Sequence, residues 1–123
     1  MKKRIRAVLL IAIFCLSFGM VVCAAEAKTS RLVDYADLLT ESEENRLLSI
    51  LDEISERQQL DIVIVTTNTL DGKSPTVYAD DFYDENGYGF GVEKDGVLLL
   101  ISMEDRDWWI STAGYGIIAF TVQ

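Results

Sequence analysis

Asp95-Gly96-Val97-Leu98-Leu99-Leu100-Ile101-Ser102-Met103-Glu104-Asp105-Arg106-Asp107-Trp108-Trp109-Ile110-Ser111-Thr112 is the stretch whose reading decides the fold. Val97 to Ile101 are apolar without a break, so they cannot alternate between core and water. Such a strand must be covered on both faces, as a central strand of an α/β sheet is. The polar residues Glu104 to Asp107 suit a hairpin loop, and Trp108–Thr112 is too short and mixed for a helix. The expected unit is a buried strand, an acidic turn, a returning strand and a glycine-rich exit at Ala113-Gly114-Tyr115-Gly116. Successive side chains on a strand point to opposite faces. One of Trp108 and Trp109 is therefore expected in the core, and the other is a candidate exposed aromatic.

Working upstream, Asp61-Ile62-Val63-Ile64-Val65-Thr66-Thr67 is β-branched at nearly every position and reads as a second buried strand. Between the two strands, Ser74 and Pro75 form an N-cap and first helical position. Val77, Tyr78 and Phe82 give that helix its apolar stripe, and Asn86-Gly87 ends it. Strand, helix, strand over residues 61–101 allows a right-handed crossover, which makes the strands parallel. Earlier still, Thr40-Glu41-Ser42-Glu43 is a capping box. Leu47, Leu48, Ile50, Leu51 and Ile54 then recur at helical spacing, predicting an amphipathic helix over about Glu41–Gln59. Arg31–Leu39 mixes apolar residues with Asp34 and Asp37 without clean periodicity, and its apolar members are expected to pack on the sheet. The fold class is α/β: an α/β/α sandwich with a mixed sheet, ordered helix-strand-helix-strand-strand, with the third layer incomplete.

The chain has 123 residues and argues for one folded domain at most. Lys2, Lys3, Arg4 and Arg6 precede an apolar run, Ala7–Val22, and small residues follow at Cys23-Ala24-Ala25. That is the pattern of a secretory signal peptide over residues 1–25, cut after Ala25 or Ala27, with an uncleaved membrane anchor as the rival reading. Cys23 lacks the small preceding residue a lipoprotein site needs. Residues 26–123 form the domain, and they carry 7 Lys and Arg against 20 Asp and Glu. This balance excludes nucleic acid and charge-driven binding to anionic membranes. There is no histidine, and Cys15 and Cys23 both lie in the leader segment. Ser-His-Asp and Cys-His nucleophiles and His-ligated zinc are thereby excluded.

Oxygen chemistry remains. An antiparallel helix would bring Asp84 to the same sheet edge as Asp95 and Gly114-Tyr115-Gly116, and Asp34 would join them if the lead-in segment crosses that edge. Asp34, Asp84 and Asp95 are the candidate ligands of Ca²⁺ or Mg²⁺, with the glycines permitting close backbone approach. The alternative is that Asp84 and Asp95 are turn and cap residues. Asp80 and Asp81 point about 100° apart on a helix and do not chelate together. Gly87-Tyr88-Gly89-Phe90-Gly91 follows a helix, the wrong context for a phosphate cradle.

The motifs Val33-Asp34-Tyr35-Ala36-Asp37-Leu38-Leu39-Thr40, Ile62–Thr67, Asn86-Gly87-Tyr88-Gly89, Asp95-Gly96-Val97-Leu98-Leu99-Leu100 and Gly114-Tyr115-Gly116 occur in order over about residues 31–121. Together they resemble the TPM domain. The resemblance implies a Rossmann-like sandwich in a protein that is exported, either secreted or anchored at the outer face of the cytoplasmic membrane. Members include proteins tied to photosystem repair and an accessory protein of ligand-gated receptors, and weak phosphatase activity and divalent-metal binding are attributed to some. Members usually continue past Phe120-Thr121 with an acidic residue and helices, where this sequence has Val122-Gln123. The apolar run from Ile117 reads as a chain that stops inside its domain. The functional expectation is an extracytoplasmic accessory module that engages a membrane or exported protein, not a small-molecule substrate. The alternative is a metal-dependent phosphomonoester hydrolase.

Overall fold

The computed structural model describes residues 29–121; the expected leader lies outside them. The elements are β1 (Leu32–Asp34), α1 (Glu41–Gln58), β2 (Asp61–Thr67), α2 (Pro75–Glu85), β3 (Gly96–Ser102), β4 (Asp107–Ala113) and α3 (Tyr115–Thr121). The sheet order is β1-β2-β3-β4. β1, β2 and β3 are parallel and β4 returns antiparallel to β3. The fold is thus a mixed α/β sheet with helices, as the strand composition and hairpin signal imply.

Local chemistry sets the helix ends. Thr40 caps α1: its hydroxyl accepts from the Glu43 amide and the Glu43 carboxylate accepts from the Thr40 amide, the reciprocal capping box. Gln59, in the left-handed region at φ 55°, ends the helix. Ser74 caps α2 by accepting from Val77 N, with Pro75 at the first position.

Register parity assigns the faces. Val63 and Val65 of β2 and Leu98 and Leu100 of β3 share one face, packed with Ala79 and Tyr83 of α2 and with Leu70 and Tyr88. α1 packs on the other face of β1 and β2, where Leu32, Leu51, Leu60 and Val97 are buried. There the Ser55 hydroxyl, fully buried, accepts from Ile62 N at 3.0 Å and pins α1 to the start of β2. Ser55→Ala leaves that amide without its acceptor and is expected to cost about 1–3 kcal/mol in urea denaturation. Both crossovers step the same way across the sheet, yet α1 and α2 lie on opposite faces. The two connections therefore have opposite hands, one of them against the usual right-handed rule. They also diverge at the carboxyl ends of β1 and β2, opening the edge between them.

Several expectations need correction. The lead-in segment supplies a strand, β1, which extends the sheet beyond β2. The run after Gly114 forms helix α3. β3 is sealed only on its α2 face; on the α1 face Leu99 and Ile101 are half-buried. Neither tryptophan belongs to the core, since Trp108 is 64% and Trp109 43% exposed. β4 is the outermost strand, so no further strand shelters them.

Candidate functional site

Ligands of open α/β sheets bind beyond the carboxyl ends of the parallel strands. At that edge Asp34 ends β1. Its Oδ1 accepts from the Thr66 hydroxyl and from Leu38 N at 3.1 Å, and its Oδ2 accepts from Leu39 N at 2.9 Å. The Thr66 hydroxyl in turn accepts from Ala36 N at 3.1 Å. These bonds fold residues 35–39 into a tight loop, with Asp37 at φ 53°. The loop delivers the chain to the Thr40 cap, so Glu44 in the first turns of α1 comes back against Asp34.

Asp34, Asp37 and Glu44 each offer a carboxylate oxygen within 4.8 Å of the others. Desolvation and then a hydrogen bond to Asp34 raise the Glu44 carboxyl, helped by the charges of Asp34, Asp37 and Glu41. Desolvation raises Asp34 too, but the Thr66 hydroxyl and the Leu38 and Leu39 amides outweigh it and hold Asp34 below the usual range. The signs are opposite. The contribution of Asp34 is present above its unfolded pKa and is lost as pH falls through its lower folded value. That of Glu44 is present below its unfolded pKa and is lost as pH rises through its higher folded value. Glu44→Gln is expected to gain thermal stability over the parent as pH rises from about 4 to 7, the range starting near the ordinary glutamate pKa. A stability gap independent of pH would count against the raised Glu44 carboxyl.

The donor set suits a hard cation. Three carboxylates provide oxygen ligands and no nitrogen or sulfur, and the remaining positions of Ca²⁺ or Mg²⁺ are open to water and backbone oxygens. Across the same edge, on the α2 side, lies a cleft of about 520 Å³ bounded by Tyr35, Thr67, Asn68, Lys73, Tyr78 and Phe82. Lys73 pairs there with Asp81 at 2.9 Å.

The other expected ligands sit elsewhere. Asp84 and Asp95 are together at the opposite, amino edge with Gly114-Tyr115-Gly116. Asp95 Oδ1 accepts from Tyr115 N at 2.7 Å, capping α3, and the Asp95 backbone bonds to Phe90 and Asp61. A Cβ on Gly114 would lie 2.1 Å from that carboxylate, and one on Gly116 would lie 2.1 Å from the Gly96 carbonyl. Both glycines thus permit backbone packing. Register sets Asp34 opposite Thr66 and Thr66 opposite Ile101. Ile101 is some 20 Å along the sheet from Asp95 at about 3.3 Å per residue. Asp34 therefore does not join Asp84 and Asp95. Asp37 and Glu44 take their place, and their signal was the Asp34-x-x-Asp37 spacing leading into a capping box. Reading it required knowing that Asp34 ends a strand.

The sequence profile of the TPM domain matches residues 32–121. This chain belongs to the TPM domain family. It is 28% identical over 109 residues to the UPF0603 protein YdjH of Bacillus subtilis, covering 89% of this chain and 41% of that protein. The TPM fold is shared with two domains solved in solution. The N-terminal domain of a protein from P. gingivalis matches with a TM-score of 0.64 and 23% identity, over 77% of this chain and 60% of that one. The N-terminal domain of the cg2496 protein from Corynebacterium glutamicum matches with a TM-score of 0.56 and 18% identity, over 75% and 59%. The TPM domain here thus spans less than two thirds of the length of each of these relatives.

Proposed function

We propose that this TPM domain is an extracytoplasmic, membrane-associated accessory module, which engages an exported or membrane protein and holds a divalent cation at the carboxyl edge of its sheet. The observation that carries it is the Asp34–Asp37–Glu44 cluster: carboxylates gathered where α/β sheets bind ligands, in a chain without histidine and with its cysteines confined to positions 15 and 23. Such a set can hold and orient a cation through oxygen ligands. A cation would screen the repulsion between Glu44 and the charges of Asp34 and Asp37. Ca²⁺ or Mg²⁺ titration is expected to raise the Tm of the parent and not of Glu44→Gln; equal shifts in both would count against the site. Crosslinking in membranes is expected to join the domain to a specific protein, and recovery of none above background would defeat the accessory role.

The same cluster supports a second reading, in which the cation polarises a phosphomonoester as a Lewis acid. Turnover that EDTA abolishes and Asp34→Ala reduces would favour it.

A further inference from the structure

The cleft on the α2 side of the carboxyl edge has a chemistry of its own. Its aromatic walls are Tyr35, Tyr78 and Phe82. Tyr78 and Phe82 lie one helical turn apart with ring planes within 10° of parallel, and Tyr35 meets Phe82 at 86° with 6.3 Å between centroids. Two nearly perpendicular ring planes thus bound one hollow, and Tyr35, 62% exposed, keeps open π surface. The charges around it are mostly negative: Asp71, Asp81 and Glu85 against Lys73. A hydrogen bond to Asp81, with the charges of all three carboxylates, raises the Lys73 ammonium above its ordinary pKa. The Lys73–Asp81 bridge is half-exposed on both sides and belongs to the weak, solvent-screened class. The loop that forms the remaining wall is fixed in place. Leu70 N donates to Glu104 of the hairpin at 2.6 Å, and the Thr67 hydroxyl donates to Thr69 O at 2.8 Å. On this face of β2, Val63 and Val65 are fully buried with Leu70, Tyr83 and Tyr88. The sheet is already sealed there, so the hollow is not a missing piece of the helical layer.

We propose that this cleft binds a small organic ammonium ion, methylated at nitrogen, held by the rings of Tyr35, Tyr78 and Phe82 and by the charges of Asp71 and Glu85. Its volume, about 520 Å³, is that of a small-molecule pocket and far exceeds one metal ion. Among the described residues only Asp34, Asp37 and Glu44 gather three carboxylate oxygens within 4.8 Å, so the carboxylates of the cleft do not converge on a compact cation. An anion would meet a single cation, Lys73, already paired with Asp81. Methylation suits the rings, because a quaternary ammonium is recognised by aromatic faces grouped around it. The cleft needs neither a metal at the acidic cluster nor the accessory role, and it goes beyond both.

The test titrates the ¹⁵N-labelled full chain, in uncharged maltoside micelles at constant ionic strength, and follows the amide signals of Asn68, Lys73 and Phe82. Tetramethylammonium is expected to bind about tenfold more tightly than tert-butanol, an uncharged molecule of similar size, which corresponds to a desolvated cation–π contact. Tyr35→Ala, at an exposed position, is expected to weaken binding about fivefold with unchanged circular dichroism, while Tyr35→Phe retains it. Glu85→Gln is expected to weaken it about threefold, and Lys73→Met, which releases Asp81, to tighten it about threefold. Equal binding of tetramethylammonium and tert-butanol, or undiminished binding to Tyr35→Ala, overturns the proposal. So does methylammonium binding more tightly than tetramethylammonium, which would assign recognition to the carboxylates without the rings. Shifts of the same signals by inorganic phosphate, with none by tetramethylammonium, would assign the cleft to anions and also overturn it.

Discussion

Asp61→Ala is expected to cost about 3–5 kcal/mol, the range for removing one member of a buried ion pair. Asp61 opens β2 and is 3% exposed; Arg31, just before β1, is 5% exposed. Arg31 Nε donates to Asp61 Oδ1 at 2.8 Å, and the other Asp61 oxygen accepts from Gly89 N at 2.6 Å. The guanidinium also reaches Asp52 at 2.9 Å and Glu56 at 3.3 Å and lies 5.7 Å over the Phe90 ring. This one cation ties β1, α1, β2 and the loop after α2 together. Truncating Asp61 leaves Arg31 with only its two exposed partners and leaves Gly89 N without its acceptor. Replacing both members, Arg31→Met with Asp61→Leu, is expected to cost less than the single change, because no unpaired charge then remains buried. Urea denaturation of the three variants checks this. A loss below about 1 kcal/mol for Asp61→Ala would place the pair in the weak class of solvent-screened bridges.

The second large effect separates the two faces of the sheet. Leu98→Ala is expected to cost about 2–5 kcal/mol, since Leu98 is fully buried among Val63, Val65, Ala79 and Tyr83 and leaves a cavity. On the opposite face Ile110, the register partner of Leu99, is 43% exposed, so Ile110→Ala is expected to cost less than about 1 kcal/mol. At about 4–8 °C per kcal/mol for a domain of this size, thermal unfolding resolves the two readily. Comparable losses would mean that something covers Ile110 in solution.

How much of this was legible depended on how local each cause was. The α1 cap could be read from Thr40 to Glu43 because its hydrogen bonds close within one turn. β2 and β3 could be read because an unbroken β-branched or aliphatic run has few other fates. β1 could not: three residues ending in an aspartate carry no periodicity, and pairing with Ile64, Val65 and Thr66 is what makes them a strand. The acidic cluster was hidden with it. Asp34 looked free to lie at either edge until its strand direction was known. The Arg31–Asp61 pair joins residues thirty positions apart, each unremarkable in its own neighbourhood.

By itself the sequence determined the strand–helix–strand–hairpin order and the restriction to oxygen chemistry, because these follow from composition and short-range pattern. Only the tertiary structure decided which carboxylates meet, which face of β3 stays open and where Trp108 points. Those depend on register and on the faces α1 and α2 choose, and the side chains that settle them are distant in the chain.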